Sequence, residues 1–339
     1  MKPIKFENPN VVLQVNLEGG ACFDFHLKDL PLNPVSWKME DPELPPFMGH
    51  FLCFDRWGLP SDAEAKNGFP PHGEVNHQTW KLLSGSPEGI PLTRGEMRCH
   101  LPMGGLELTR KIELAAEEPL FFVTEAVKNC NKYGRMFNLV QHVSLGPPFL
   151  DRSTLFDNNT EKRFEDKEDG SLHQEEPVLK WPEADHNGER VSLRQFLGKW
   201  PRVASFVFDP DEKYAWVTAA NPGKNLMLGY LWKVEEYPWV NFWRLMEKDV
   251  PKAFGMEFGT TGLHEPFPVI AKKGKIFGRN LYDFIDADEI LRKSFIGFLA
   301  KIPDDYQGVD RIDVQPSHFT VREKNGQSRD ITYQLKHKL

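Results

Sequence analysis

The two runs that flank Gly104-Gly105, MRCHL and LELTRKIEL, alternate apolar and polar residues with a period of two. A period of two belongs to a strand with one face buried and cannot be laid on a helix of 3.6 residues per turn. The same pattern recurs along the chain. Val11, Leu13, Val15 and Leu17 point one way, Gly19-Gly20 turns, and Cys22 to Phe25 resumes, which is a hairpin signal. Phe121 to Asn129, VASFVFDP, YAWVTAANP and NLMLGYLWKV read as further strands. Long amphipathic helices are missing, and 25 Phe and 9 Trp accompany 26 Gly and 27 Pro. Many short aromatic strands separated by turns produce that balance, so the expected fold class is all-β. All-β sandwiches run long as one domain, and 339 residues are read as a single one.

Composition excludes several functions. The formal net charge is −7, with no basic excess to neutralise phosphates, so nucleic acid is not an expected partner. The N-terminus MKPIKFENPN lacks an apolar signal core, and no run of 18 apolar residues follows. A cytoplasmic protein that does not enter membranes is therefore expected. Cys22, Cys53, Cys99 and Cys130 form no CxxC pair and read as reduced core thiols. Neither a phosphate-cradling glycine loop nor an HExxH occurs.

Four segments carry residues able to do chemistry. In FMGHFLCFDRWGLP, Arg56 sits between Asp55 and Trp57; a surface ion pair is its ordinary role, and a guanidinium held for several hydroxyl acceptors is the functional one. In PPHGEVNHQTW, His72 follows two prolines and precedes Gly73, which fixes it on a rigid turn. In FNLVQHVSLGPPFLD, Phe137 and Leu139 take one strand face, while Asn138, Val140 and His142 take the other. A lone strand histidine is more often a satisfied core residue than a catalytic one. In AFGMEFGTTGLHEPFPVI, Glu257 stands in an apolar run before Gly-Thr-Thr-Gly, with Glu265 shortly after. Burial there raises a carboxylate into the range of a general base. The tryptophans of YLWKVEEYPWVNFWR (Trp232, Trp239 and Trp243) either pack in the core or stack on a sugar ring.

Residues 151–200 are charged and aperiodic and read as a polar excursion, either a lid or an edge insertion. Residues 287–301 suit a capped helix or a strand equally.

Taken in order, these segments resemble the aldose 1-epimerase (galactose mutarotase) superfamily over roughly residues 10–330. GHFLCFDRWG is similar to the family's glycine-to-arginine segment, PPHGEVNHQTW to its His-Gly motif, FNLVQHVSLGPPF to its Asn/Gln-His strand, and AFGMEFGTTG to its apolar-Glu strand. Two departures stand out: Val143-Ser144-Leu145 and two prolines follow the histidine, and Gly-Thr-Thr-Gly follows the glutamate. The resemblance implies a β-supersandwich of large antiparallel sheets, and a strand at 287–301. It implies Glu257 as base, His142 as acid, His72 as helper and Arg56 as a sugar ligand. Glu265 competes for the base role, and Trp232, Trp239 or Trp243 would stack on the sugar. The implied reaction interconverts the α and β anomers of a free hexose and requires no metal or cofactor. The alternatives are a carbohydrate-binding protein without catalysis and a hexose-6-phosphate 1-epimerase. The latter needs cations converging on a phosphate, for which Arg94, Arg98 and Arg110 are available in sequence. The expected partner is a monosaccharide or a sugar phosphate; the sequence fixes no oligomeric state.

Overall fold

A computed structural model describes residues 3–39, 47–84, 90–164, 179–186, 188–196, 203–324 and 329–335. Two antiparallel sheets form the body. The nine-stranded sheet runs, in spatial order, Ile4–Glu7, Val11–Val15, Cys22–Leu27, His50–Phe54, Leu139–Leu145, Val250–Gly259, Trp239–Glu247, Val203–Phe208 and Thr160–Phe164. The eight-stranded sheet runs Leu155–Asn158, Tyr214–Asn221, Leu226–Lys233, Ile290–Lys301, Leu120–Asn129, Leu106–Leu114, Arg94–Leu101 and Lys81–Ser84. The alternation in LELTRKIEL becomes strict alternation of buried and half-buried positions.

The two sheets pack face to face, and their inner faces supply one continuous apolar cluster. Phe25 of one sheet meets Phe121 of the other edge-on at 4.9 Å, and Trp232 stacks on Phe258 at 4.1 Å. A three-stranded sheet, Val309–Val314, His318–Glu323 and Ile331–Gln334, lays Phe319, Val321 and Tyr333 against Met227, Leu231 and Phe298. It thereby covers the far face of the eight-stranded sheet.

The uncertain stretch 287–301 is resolved as strand, Ile290–Lys301, paired on both edges. The stretch 151–200, read from sequence as an aperiodic polar excursion, holds regular structure at its start. Leu155–Asn158 and Thr160–Phe164 are edge strands, one for each large sheet, and Glu183–His186 pairs with Glu189–Ser192 in a hairpin. Residues 165–178, 187 and 197–200 of that stretch lie outside the described residues. All four cysteines are free thiols; three are buried, but Cys130 is exposed rather than in the core. Among the described residues no helix is long and apolar enough to cross a membrane.

Candidate functional site

Leu139–Leu145 lies in the middle of the nine-stranded sheet, and its alternation sends neighbouring residues to opposite faces. Leu139, Val143 and Leu145 enter the sandwich core, whereas Val140 joins a separate cluster on the outer face. His142 is in register with Phe51 on one neighbour and with Glu257 on the other; Glu257 is in turn opposite Asn241. Residues directly opposite in an antiparallel ladder share a face. Phe51, His142, Glu257 and Asn241 therefore form one row across the outer face.

The centre of the row is a direct contact: His142 Nε2 lies 2.9 Å from Glu257 Oε1. His142 Nδ1 is 2.9 Å from Ser144 Oγ, and the Phe51 ring stacks on the imidazole at 4.1 Å. The Trp57 indole N–H donates to Glu257 Oε2. The His72 ring stands edge-on to His142 at 5.1 Å, and Trp243 lies 5.9 Å from it. Gly255 permits the crowding, since a Cβ there would meet Trp243 Nε1 at 2.3 Å and Glu257 Oε1 at 2.7 Å.

Burial sets the protonation. Glu257 is fully buried and His142 is 3% exposed. Burial pushes the Glu257 carboxyl well above the usual range, against the pull of the Trp57 and Trp243 indoles. It pushes His142 down to about 3. Both effects favour a neutral carboxylic acid beside a neutral imidazole over a buried ion pair, whose desolvation is costly. The contact is then a close approach of two neutral groups rather than an ion pair. His72 is also held well below its usual range, by burial first and then by His142, His264, Arg56 and His77.

Beside the pair is a recess lined in part by Cys53, Asp55, Arg56, Trp57, Asn138 and Glu265. Trp57 is thus both its wall and the donor to Glu257. Arg56 Nε donates to Leu59 O at 2.7 Å and lies 3.6 Å from Glu64 Oε2. Glu64 closes a capping box with Ser61 at the start of the short helix Asp62–Lys66, which anchors the guanidinium. Asp55 bonds Arg135 at 2.5 Å, and burial pushes its carboxyl up to about 6. Glu265 is raised by burial, with Arg56 opposing.

His72, His142 and Glu257 therefore come together, and Arg56 lies in the adjoining recess. Glu265 lines that recess; Glu257, not Glu265, is the carboxyl against His142. Two tryptophans fall elsewhere. Trp232 is inside the sandwich, stacked on Phe258 with its N–H donating to Tyr237 O, and has no open face for a sugar. Trp239 is on the correct face but fully buried among Val207, Leu263 and Ile270, its N–H donating to Asn280 O. Trp243 is the tryptophan of that segment that reaches the pair. The three arginines available for a phosphate do not converge: Arg110 is buried against Glu125 between the sheets, and Arg94 and Arg98 pair with Glu113 and Glu107 on the outside.

Sequence reasoning did not reach Trp57, Asn241 or Ser144. The one available signal was local: Trp239, Asn241 and Trp243 share a strand face, and a polar residue between two outward tryptophans marks a surface built for something other than packing. Asn241 Nδ2 donates to Thr261 O, but Asn241 Oδ1 is buried without a hydrogen-bond partner among the described residues, and Glu257 Oε1 and Trp243 Nε1 lie side by side at Gly255 in no well-formed hydrogen bond. Orphaned buried polar atoms are rare in native proteins and suit a site that receives a polar ligand. Among the described residues no group of three or more His, Cys, Asp or Glu is arranged to hold a metal.

The sequence matches no protein-family model and no curated protein. Solved structures do match. A galactose mutarotase related enzyme from Lactobacillus acidophilus superposes with a TM-score of 0.65 at 12% identity, covering 89% of this chain and 99% of that one. A galactose mutarotase-like protein from Lactobacillus casei gives 0.61 at 14%, covering 88% and 100%. One from Clostridium acetobutylicum gives 0.59 at 12%, covering 88% and 95%. At these identities the likeness is one of fold. The chain has the galactose mutarotase-like fold, in a divergent sequence.

Proposed function

We propose that the chain is an aldose 1-epimerase that interconverts the anomers of a free hexose, using Glu257 and His142 for proton transfer. The observation that carries this reading is the 2.9 Å contact between them, with His72 edge-on and Arg56 in the adjoining recess. Anomer exchange needs a group that takes the O1 proton and another that gives a proton to the ring oxygen. Those two oxygens are bonded to the same carbon, so the serving groups stand side by side rather than a sugar ring apart. One proton in total is what the pair must carry. Burial favours that proton on Glu257, which is then the acid, with His142 as base. Transfer along the contact interchanges them, giving the assignment that the resemblance implies. When the ring closes on the other face, both transfers reverse. His72 and Arg56 bind sugar oxygens, and Trp243 covers an apolar ring face.

Burial of the pair behind Trp57 also suits the second reading, a sugar-binding protein without catalysis. Proton NMR exchange spectroscopy on α- and β-glucose and galactose separates the two. Catalysis predicts faster exchange between the anomeric signals, reduced at least about 100-fold in Glu257→Gln. Sugar shifts or broadening with no faster exchange would leave binding alone.

A further inference from the structure

His72 is fixed more firmly than its place in a loop suggests. Its φ is +58°, in the left-handed region that non-glycine residues seldom adopt. Its N–H donates to Gly58 O at 2.8 Å, and its carbonyl accepts from Phe54 N–H at 3.2 Å. Gly73 follows at φ +79°, and a Cβ there would meet Phe54 O at 1.8 Å. The ring is bounded by Phe47, Phe51 and His142, with centroids 4.8, 5.2 and 5.1 Å away. Strained backbone of this kind clusters where a side chain must be held in one pose.

The contacts at Nδ1 define which nitrogen carries the proton. The Gly58 amide N–H donates to His72 Nδ1 at 3.3 Å. An amide nitrogen has no lone pair to offer, so Nδ1 is the acceptor and bears no hydrogen. Cys53 Sγ lies 3.1 Å from the same atom; with Nδ1 bare, the thiol is the donor there as well. We infer that Cys53 is a positioning residue: with the Gly58 amide it confines His72 to the tautomer protonated at Nε2, so His72 acts as a neutral hydrogen-bond donor rather than as a base. The surroundings agree. The Cys53 thiol is buried and held well above its usual range, by burial first and then by Glu257, so it keeps its proton. The groups facing His72 are Arg56, His77, His142 and His264, and a second proton on its ring is disfavoured by them and by burial. That a sugar oxygen receives this donor rests on the proposed function; the tautomer does not.

The test is nitrogen-15 NMR of histidine-labelled protein, where long-range couplings distinguish a protonated from a bare ring nitrogen. The wild type should show His72 with Nε2–H and bare Nδ1 throughout about pH 6 to 8, with no titration in that window. Cys53→Ser, whose hydroxyl still donates, should keep this pattern. Cys53→Ala leaves only the long Gly58 donation at 3.3 Å to hold Nδ1 bare, and should show a partial mixture of tautomers or titration at higher pH. Where anomer exchange is measurable, Cys53→Ala should slow it about five- to tenfold, as loss of one hydrogen bond implies, and Cys53→Ser should restore most of the rate. A wild-type His72 protonated at Nδ1, or a Cys53→Ala spectrum identical to wild type, overturns the inference. If Cys53→Ala fails to fold, the wild-type and Cys53→Ser spectra decide. The expected tautomer in a protein that exchanges no anomers supports this assignment while refuting the proposed reaction.

Discussion

Gln141 and His142 are neighbours in one strand, yet they belong to two buried polar clusters of opposite character. Gln141 points into the sandwich. It donates to Glu125 at 2.6 Å and to the Tyr237 hydroxyl at 3.1 Å, and its carbonyl meets His50 Nε2 at 3.0 Å. Glu125 also binds Arg110 at 2.6 Å, and Tyr230 closes on His50 Nδ1 at 3.2 Å. The inner cluster is closed on itself: Arg110 and Glu125 pair within the eight-stranded sheet, and Gln141 of the nine-stranded sheet reaches Glu125 across the core. His142 points outward, to a cluster where burial favours the neutral form of the Glu257 carboxyl and where Asn241 Oδ1, Trp243 Nε1 and Glu257 Oε1 make no well-formed hydrogen bond. A satisfied network ties sheets together; an unsatisfied one retains capacity for a ligand. Burial alone does not separate them, and partner accounting does.

That contrast can be broken by mutation. The largest expected effect is inside. Glu125→Ala leaves Arg110 buried without its carboxylate and should cost about 3–5 kcal/mol in chemical denaturation. A loss below about 1 kcal/mol would mean the inner network is not what joins the sheets. Next is the loop that carries the outer cluster. Gly58 has φ +81°, and a Cβ there would lie 1.8 Å from His264 Nε2, so Gly58→Ala should cost about 1–3 kcal/mol. It should also disturb the His72 ring resonances; thermal scans and NMR check both. The smallest effect has the opposite sign. The folded Glu257 keeps a proton that the unfolded chain releases above its ordinary value of 4.5. The stabilisation this gives is complete below that value and is lost as pH rises. Glu257→Gln should therefore be at least as stable as wild type at pH 7, with the difference vanishing toward pH 4.5. A destabilised variant at pH 7 would indicate an ionised Glu257.

Histidines on both faces make one shared prediction. Burial holds His50 and His142 each down to about 3 from 6.5. The fold keeps them neutral while the unfolded chain protonates them, so stability is complete above about pH 6.5 and drains as pH falls toward 3. Replacing His50 by Gln should flatten part of that slope in a pH series of denaturation midpoints.

The strand content and the separation of faces were legible in sequence because period two is a local signal. The alternation of FNLVQHVSL placed His142 on the strand face opposite Phe137 and Leu139. What was not legible is pairing across distance. Leu139–Leu145 meets Val250–Gly259 more than a hundred residues later, and only that register puts His142 opposite Glu257. Tryptophans misled for a related reason: an indole is equally suited to core and to surface, so Trp232 and Trp239 looked like sugar platforms until the sheets enclosed them. Trp57 and Cys53 gave no pattern because each acts through a contact with a residue outside its own segment, and Asn241 was marked only by its place between two tryptophans on one strand face. Residues 151–164 hid two edge strands because a four- or five-residue edge strand is too short to show a period.

The claim that the outer cluster is chemical rather than structural is tested most directly by the anomer exchange rate of Glu257→Gln against wild type at pH 7, measured together with thermal unfolding. The account predicts that exchange falls at least about 100-fold while the unfolding midpoint holds or rises. Wild-type exchange no faster than in buffer, or a variant that keeps its exchange rate and loses its fold, would contradict it and place His142 and Glu257 with the structural network on the other side of the sheet.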